Sequence, residues 1–390
     1  MKKDNLFTEF FDSEKTGGLL LIVCTILSLV LANTPVQESY LNFWHIEFAE
    51  HTIAHWVNDG LMTIFFLLVG LELEREIYAG ELSSIKKASL PAFAALGGML
   101  VPAGLFLLLN YGTSTQAGAG IPMATDIAFA IGILALVGNR VPPALKVFLT
   151  ALAVIDDLGA ILIIALFYTS TIVFSNLFIS LGIWAVLLVL NRLKVHSVWP
   201  YLLGGIGMWY FMLHSGVHAT ITGVLLAFAI PFGDGTRLSI SYKLQHWLHK
   251  PVAFVILPLF ALANTCIVLE PQWYTGLAMP NSIGIMLGLV VGKPLGIMLF
   301  CLAATWLGLG KLPGGVKWKH LMGAGLLAGI GFTMSIFITM LAFDNKGDIE
   351  HSKIAVLLSS VVAGVVGFVW LRLATRQTKN AHVKHNKKHR

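Results

Sequence analysis

Charge is what this chain has least of. Asp, Glu, Lys and Arg make up only 12% of its 390 residues, against about 25% in an ordinary soluble domain. So few charges cannot cover a globular surface. Hydrophobic residues make up 56%, and they fall in long runs that a soluble core does not need, so membrane embedding is the first expectation. Linkers rich in Ser, Pro or acid are also missing, which argues against a string of soluble domains. Cysteine is scarce: Cys24, Cys266 and Cys301 lie in or beside apolar runs. Their odd number and spacing give neither a disulfide framework nor a zinc site. Heptads, collagen periodicity and low-complexity tracts are absent, and no short repeat is visible. A cleavable leader is not expected either. Lys2 and Lys3 precede an apolar run, but Asp4, Glu9, Asp12 and Glu14 intervene and no small-x-small site follows. That run reads as a retained first span.

What the chain does have is segments of spanning length, at about 20 residues each. Twelve are predicted, near 17–34, 59–80, 90–110, 121–138, 143–168, 174–191, 197–213, 216–232, 251–269, 282–305, 320–343 and 353–373. This gives an all-α polytopic membrane protein. Residues 1–16 read as a cytoplasmic N-terminus, 17–375 as one transmembrane domain and 376–390 as a basic cytoplasmic tail near anionic headgroups. The net charge of +6 does not point to nucleic acid, because the basic residues sit in short connections. With the N-terminus inside, those after even-numbered segments hold Arg75, Lys86, Arg140, Arg192, Arg237, Lys250 and Lys317, whereas the opposite ones hold only Lys346 and Lys353. The bias predicts that both termini are cytoplasmic. The connection Thr34–Asn58 has no Lys or Arg. It reads as an outer-face cap or a subunit contact in a homodimer. His51 and His55 within it could bind a metal only if that stretch is helical.

Ionisable groups inside apolar segments cost about 2.5–3.5 kcal/mol each at a helix centre on insertion scales. A chain retains them where they face a cavity or a partner. Asp156 and Asp157 lie side by side in Ala153-Val154-Ile155-Asp156-Asp157-Leu158. Successive helical residues point about 100° apart, so one carboxylate can line an aqueous path while the other reaches a neighbouring helix. Asp126 follows Thr125, and both are good N-caps. They mark either an interfacial helix start or a helix broken in mid-membrane. Lys293, in Gly292-Lys293-Pro294, is far from either end of its segment and wants a carboxylate. The stretch Gly329-Ile330-Gly331-Phe332-Thr333-Met334-Ser335 allows either close packing or an unwound turn exposing carbonyls. Glu72, Glu74, Arg75 and Glu76 end the second segment. Gln245, His246 and His249 lie in a cytoplasmic connection, and histidine there could sense protons. His218 is expected near the opposite face, structural or pH-sensing.

These stretches together resemble the NhaA family of bacterial sodium–proton antiporters: FFLLVGLELERE (65–76), ATDIAFAIG (124–132), ALAVIDDLGAI (151–161), SGVHAT (215–220), LPLFALANT (257–265), GKPLG (292–296) and GIGFTMSIF (329–337). They occur in order along the whole membrane part. The resemblance implies twelve helices in inverted repeats, a property for which the family is a standing example. It implies that two interrupted helices cross, those bearing Thr125-Asp126 and Gly329, Gly331, Thr333 and Ser335. It implies that Asp156 and Asp157 bind sodium and protons, balanced by Asp126 and Lys293. Glu72, Arg75, Glu76, His246 and His249 would form a pH-sensing cytoplasmic mouth. The chain departs from the family pattern at Gln245, often an acid, and at Glu74, often a base.

The expected activity is therefore electrogenic, pH-regulated export of cytoplasmic sodium or lithium in exchange for external protons. Asp157 is expected as main cation ligand, with Asp156 and Thr125 oxygens assisting, and Asp156 with Lys293 as the proton-carrying pair. No enzyme chemistry and no cofactor beyond the transported Na+, Li+ and H+ are expected; the partners are the lipid bilayer and small cations. Two other readings compete. An ion-coupled carrier of an organic anion would need cationic groups, and only Lys293 is a clear one. An intramembrane aspartyl protease could use Asp126 and Asp156, but the usual GxGD context is missing.

Overall fold

The computed structural model describes residues 3–138, 140–169, 172–233, 235–236 and 239–386. Arg237 and the outermost residues of both termini lie outside them. The chain is nearly all helix. It begins with α1 (Lys3–Ala32), α2 (Gln37–His45), a two-stranded antiparallel hairpin of β1 (Glu47–Phe48) and β2 (His51–Thr52), α3 (Ile53–His55), α4 (Met62–Ala79) and α5 (Ile85–Asn110). It continues with α6 (Ile127–Val137), α7 (Pro143–Phe167), α8 (Phe174–Arg192), α9 (Trp199–Leu213), α10 (Ile221–Ala229), α11 (Ile240–Pro251) and α12 (Leu257–Asn264). The last elements are α13 (Pro280–Leu287), α14 (Lys293–Trp306), α15 (Trp318–Ala328), α16 (Phe332–Ala342) and α17 (Lys346–Asn386).

Every predicted segment contains helix. Among the described residues, eight helical stretches are long and apolar enough to cross a membrane, or up to 10 if each of two bent pairs counts as one span. α9, with 15 residues, and α10, with 9, are shorter. Large apolar side chains stay exposed along these helices, as at Val361, Val365 and Val369. That surface suits lipid rather than water.

Two expectations are corrected. Thr34–Asn58 is not an open loop but holds α2 and the hairpin; His51 lies in β2 and His55 in α3, so they share no helix face. Among the described residues no group of three His, Cys, Asp or Glu could hold a metal ion. The connection assigned to Gln245, His246 and His249 is instead α11. Ser239 caps it by accepting from Tyr242 N at 3.3 Å, and Ser241, Leu244 and Leu248 form its buried stripe.

The chain packs as two compact units. One comprises Met1–Leu19, Ser84–Asp156 and Pro271–Arg390; the other comprises Leu20–Ser83 and Asp157–Glu270. The boundary passes through α7, between Asp156 and Asp157. In the first unit α5 and α14 touch backbone to backbone. A methyl group on Gly97 would strike the Gly296 carbonyl, and one on Gly296 would strike that of Gly97. Small residues permit such approach where lipid supplies no hydrophobic drive. In the second unit α4 and α10 meet in the same way, with Gly70 against Val224 and Ala227.

Before α14 the helix widens into a π-turn at Gly288–Gly292. Pro294 has no N–H and its ring crowds the preceding turn. A wider turn absorbs both effects, and Lys293 stands at its exit.

Candidate functional site: a buried ion pair at two broken helices

Two spans of the first unit are interrupted. A 3-10 stretch, Gln116–Met123, gives way to extended backbone at Ala124 and Asp126, and α6 then begins. α15 and α16 are separated by a break at Gly329–Gly331 and bent by 45°. The breaks face each other: Asp126 N donates to Ile330 O at 2.7 Å, and Thr125 Oγ1 lies 3.0 Å from Ala328 O. An unwound turn leaves backbone groups without their helical partners, and each break here supplies some of the other's.

Asp126 is the N-cap of α6. Its Oδ1 accepts from Phe129 N at 2.9 Å. Its Oδ2 accepts from Thr333 N at 3.0 Å and from Thr333 Oγ1 at 2.5 Å. Asp126 therefore caps a broken helix: the carboxylate ties the start of one half-helix to that of the other, where two positive dipole ends favour an anion. Ser335 Oγ donates to Ile121 O at 2.7 Å and adds a second tie. Thr333→Val keeps the shape and removes the hydroxyl donor. We expect a loss of about 1.5–3 kcal/mol, the usual worth of a hydrogen bond to a charged group, read as lower thermal stability of purified protein.

Lys293 and Asp156 form the centre. Both are buried, at 0% and 1% exposure, and Lys293 Nζ lies 3.0 Å from Asp156 Oδ2. The ammonium also donates to the carbonyl of Met123, where the 3-10 stretch ends. Thr125 Oγ1 reaches Asp156 Oδ2 at 2.9 Å, so its one proton is shared with Ala328 O. Asp156 Oδ1 is buried and takes no hydrogen bond from any described residue. Asp157, 1% exposed, is the next residue of α7 and belongs to the other unit.

With this geometry in view, the relatives decide the family. The pattern of the family described as Na+/H+ antiporter 1 matches residues 8–371. The chain is 64% identical over 380 residues to Na(+)/H(+) antiporter NhaA 1 of Flavobacterium johnsoniae, covering 97% of this chain and 100% of that one. The chain belongs to the Na+/H+ antiporter 1 family. Another relative, Na(+)/H(+) antiporter NhaA of Cytophaga hutchinsonii, is 63% identical and covers 97% of each chain. That of Dechloromonas aromatica is 59% identical over 95% of this chain and 96% of its own. Among solved structures, the sodium proton antiporter MjNhaP1 from Methanocaldococcus jannaschii matches with a TM-score of 0.56 at 15% identity, covering 96% and 99% of the two chains. At that identity it speaks for the shared fold. The chain is thus a multi-pass membrane protein of an antiporter family.

The second unit gathers the other predicted residues along α4 and α11. Arg75 stacks over Tyr242, with 5.1 Å to the ring centroid, and its Nη1 lies 3.4 Å from Gln245 Oε1. Gln245 also hydrogen-bonds Glu72, which has Glu76 and Arg75 as charged neighbours. Glu76 Oε2 caps the next turn by accepting from Glu81 N at 2.8 Å. His246 is exposed and stacks on Tyr242 at 6.2 Å, whereas His249 is half-buried. Glu74, where the family often carries a base, is buried at 4% exposure, and Ser241 Oγ donates to it at 3.4 Å.

His218 bonds Tyr168 O at 2.8 Å through Nε2. Sequence reasoning missed the carbonyls of Met123 and Ala328, for which no side-chain signal exists. It also missed Tyr242 and Ser241. Their signal was their placement three and four residues before Gln245, behind the Ser239 cap.

Proposed function

We propose that this protein exchanges sodium or lithium ions for protons across the bacterial inner membrane, with both termini cytoplasmic. The observation that carries the reading is the buried Asp156–Lys293 pair at two broken helices, with one Asp156 oxygen left without a hydrogen bond from any described residue. A buried carboxylate with a free lone pair must be satisfied by a proton, a cation or water. Proton and sodium cannot hold one oxygen together, so occupancy by one excludes the other and couples the two flows. Asp157 serves as main ligand for the transported cation, with oxygens of Asp156 and Thr125. Lys293 and Asp156 carry protons as a coupled pair. Exchange of more than one proton per sodium makes the cycle electrogenic, driving sodium out of the cytoplasm. Acid favours the proton-loaded state, so transport falls as pH falls. The α4–α11 cluster around Arg75 and Gln245 tunes that dependence. Sodium, lithium and protons pass as substrates, and no resident cofactor is needed.

An organic-anion carrier would need a free cation in the site, and Lys293 already serves Asp156 and Met123. The test is proton movement in inside-out vesicles on adding sodium or lithium. Collapse of the pH gradient by both ions, absent from vesicles without the protein, is expected. No response between pH 6.5 and 9, a window that runs upward from about the ordinary histidine pKa, would overturn the reading.

A further inference from the structure

A cleft of about 350 Å³ lies at one end of the first unit, lined by Arg140, Phe368, Val369, Arg372, Leu373 and Arg376. Three arginines share it, and among the described residues none of them is in an ion pair. Arg372 and Arg376 are four residues apart on α17, so they stand one above the other. The third comes from a short, stiff connection: Gly138 turns with φ +80 at the end of α6, and Pro142 and Pro143 follow. Arg372 also lies over the Phe368 ring, 5.8 Å from its centroid, which holds the guanidinium at the cleft. Three unpaired guanidiniums in one cleft repel each other and call for a phosphate-like anion, which arginine meets with paired donors.

The rest of the helix face says which anion. Val362, Val365 and Val369 form an exposed stripe at helical spacing that runs directly into Arg372 and Arg376; they are 44%, 57% and 47% exposed. From Val362 to Arg372 the helix rises about 15 Å, half of a ~30 Å hydrocarbon core. A chain lying on the stripe would therefore end near the midplane while its phosphate reached the cleft. Trp370 stands at the same level, its indole donating to Lys319 O at 2.7 Å, as aromatic side chains do at a membrane interface.

We propose that this cleft binds an anionic phospholipid, with the phosphate held by Arg140, Arg372 and Arg376 and one acyl chain along Val362, Val365 and Val369. The lipid would clamp the α6–α7 connection to the end of α17, and so fix the half-helix that starts at Asp126.

The test uses the purified full chain in detergent, with phosphatidylglycerol, phosphatidylcholine or inorganic phosphate added, and reads thermal unfolding and lipid retention by native mass spectrometry. The variants are Arg140→Gln/Arg372→Gln/Arg376→Gln together, each single change, and Arg192→Gln on α8 as a control outside the cleft. Phosphatidylglycerol should stabilise the native chain and the control more than phosphatidylcholine does. Each cleft arginine is expected to be worth about fivefold in lipid retention, and the triple change about a hundredfold. The triple variant without added lipid should unfold no earlier than the native chain, since the repulsion between the arginines is gone, and an earlier transition would move the test to the single changes. Equal retention of phosphatidylglycerol by native and variant chains would overturn the proposal, as would equal stabilisation by phosphatidylcholine. Displacement of the lipid by inorganic phosphate would make the cleft a free-anion site and overturn the lipid assignment.

Discussion

Asp157→Asn is expected to abolish sodium-driven proton movement while the protein still folds and inserts. The side chains match in shape, so packing around a residue 1% exposed is kept. What changes is one negative charge. At about 4 Å and an effective dielectric of about 20, a unit charge pair is worth about 4 kcal/mol. Its loss lowers cation affinity about a thousandfold. The carboxamide cannot take a proton either, so both halves of the exchange fail together. The measurement is dye-reported collapse of a preformed pH gradient in inside-out vesicles, paired with calorimetric lithium binding to the purified protein. Asp126→Asn is the informative comparison. Its carboxylate is spent on Phe129 and Thr333, so that change should cost stability first and leave more of the ion affinity. If Asp157→Asn transported sodium at the native rate, Asp157 would not be the ligand and the coupling scheme would fall with it.

How the sequence foretold these residues depends on the kind of signal. The apolar runs needed only composition, because a bilayer imposes length and hydropathy on every span. Thr125-Asp126 before an apolar run read correctly as a helix start, since cap preference is local. That the start sits at a break facing Ile330 was not local: the contact joins positions 204 residues apart (330 − 126). Lys293 plainly needed a carboxylate, but the choice of Asp156 over Asp157 depends on the rotation of α7, which spacing alone leaves open. α11 was passed over because its charged residues looked like a connection. Its amphipathic stripe of Ser241, Leu244 and Leu248 behind the Ser239 cap was there to be read. The burial of Glu74 had no such signal. It follows from α11 lying over α4, and a charge next to Leu73 and Arg75 in sequence reads equally well as a solvated helix end.

Lys293→Ala is expected to destabilise the protein by about 3–5 kcal/mol, the usual effect of removing one partner of a buried ion pair. Lys293 is fully buried and its ammonium is committed to Asp156 and the Met123 carbonyl. Its removal strands a carboxylate that keeps only the shared Thr125 proton. It also strands the last carbonyl of the 3-10 stretch. Three comparisons separate these effects. Asp156→Asn/Lys293→Ala removes both charges, so it should recover most of the lost stability, because the larger part of the cost is an uncompensated charge rather than a lost attraction. The remainder is the Met123 carbonyl and the cavity, about 1–3 kcal/mol for an unsatisfied group. The third comparison uses the ion itself. With its ammonium gone, Asp156 can be neutralised by a cation, so sodium should raise the unfolding temperature of Lys293→Ala more than that of the native chain. Potassium at equal ionic strength serves as control. Thermal unfolding of detergent-purified proteins reads all three. A double variant as unstable as Lys293→Ala would show that the pair is not what Lys293 holds in place. A sodium effect no larger than that of potassium would remove Asp156 from the cation path and leave it to protons alone.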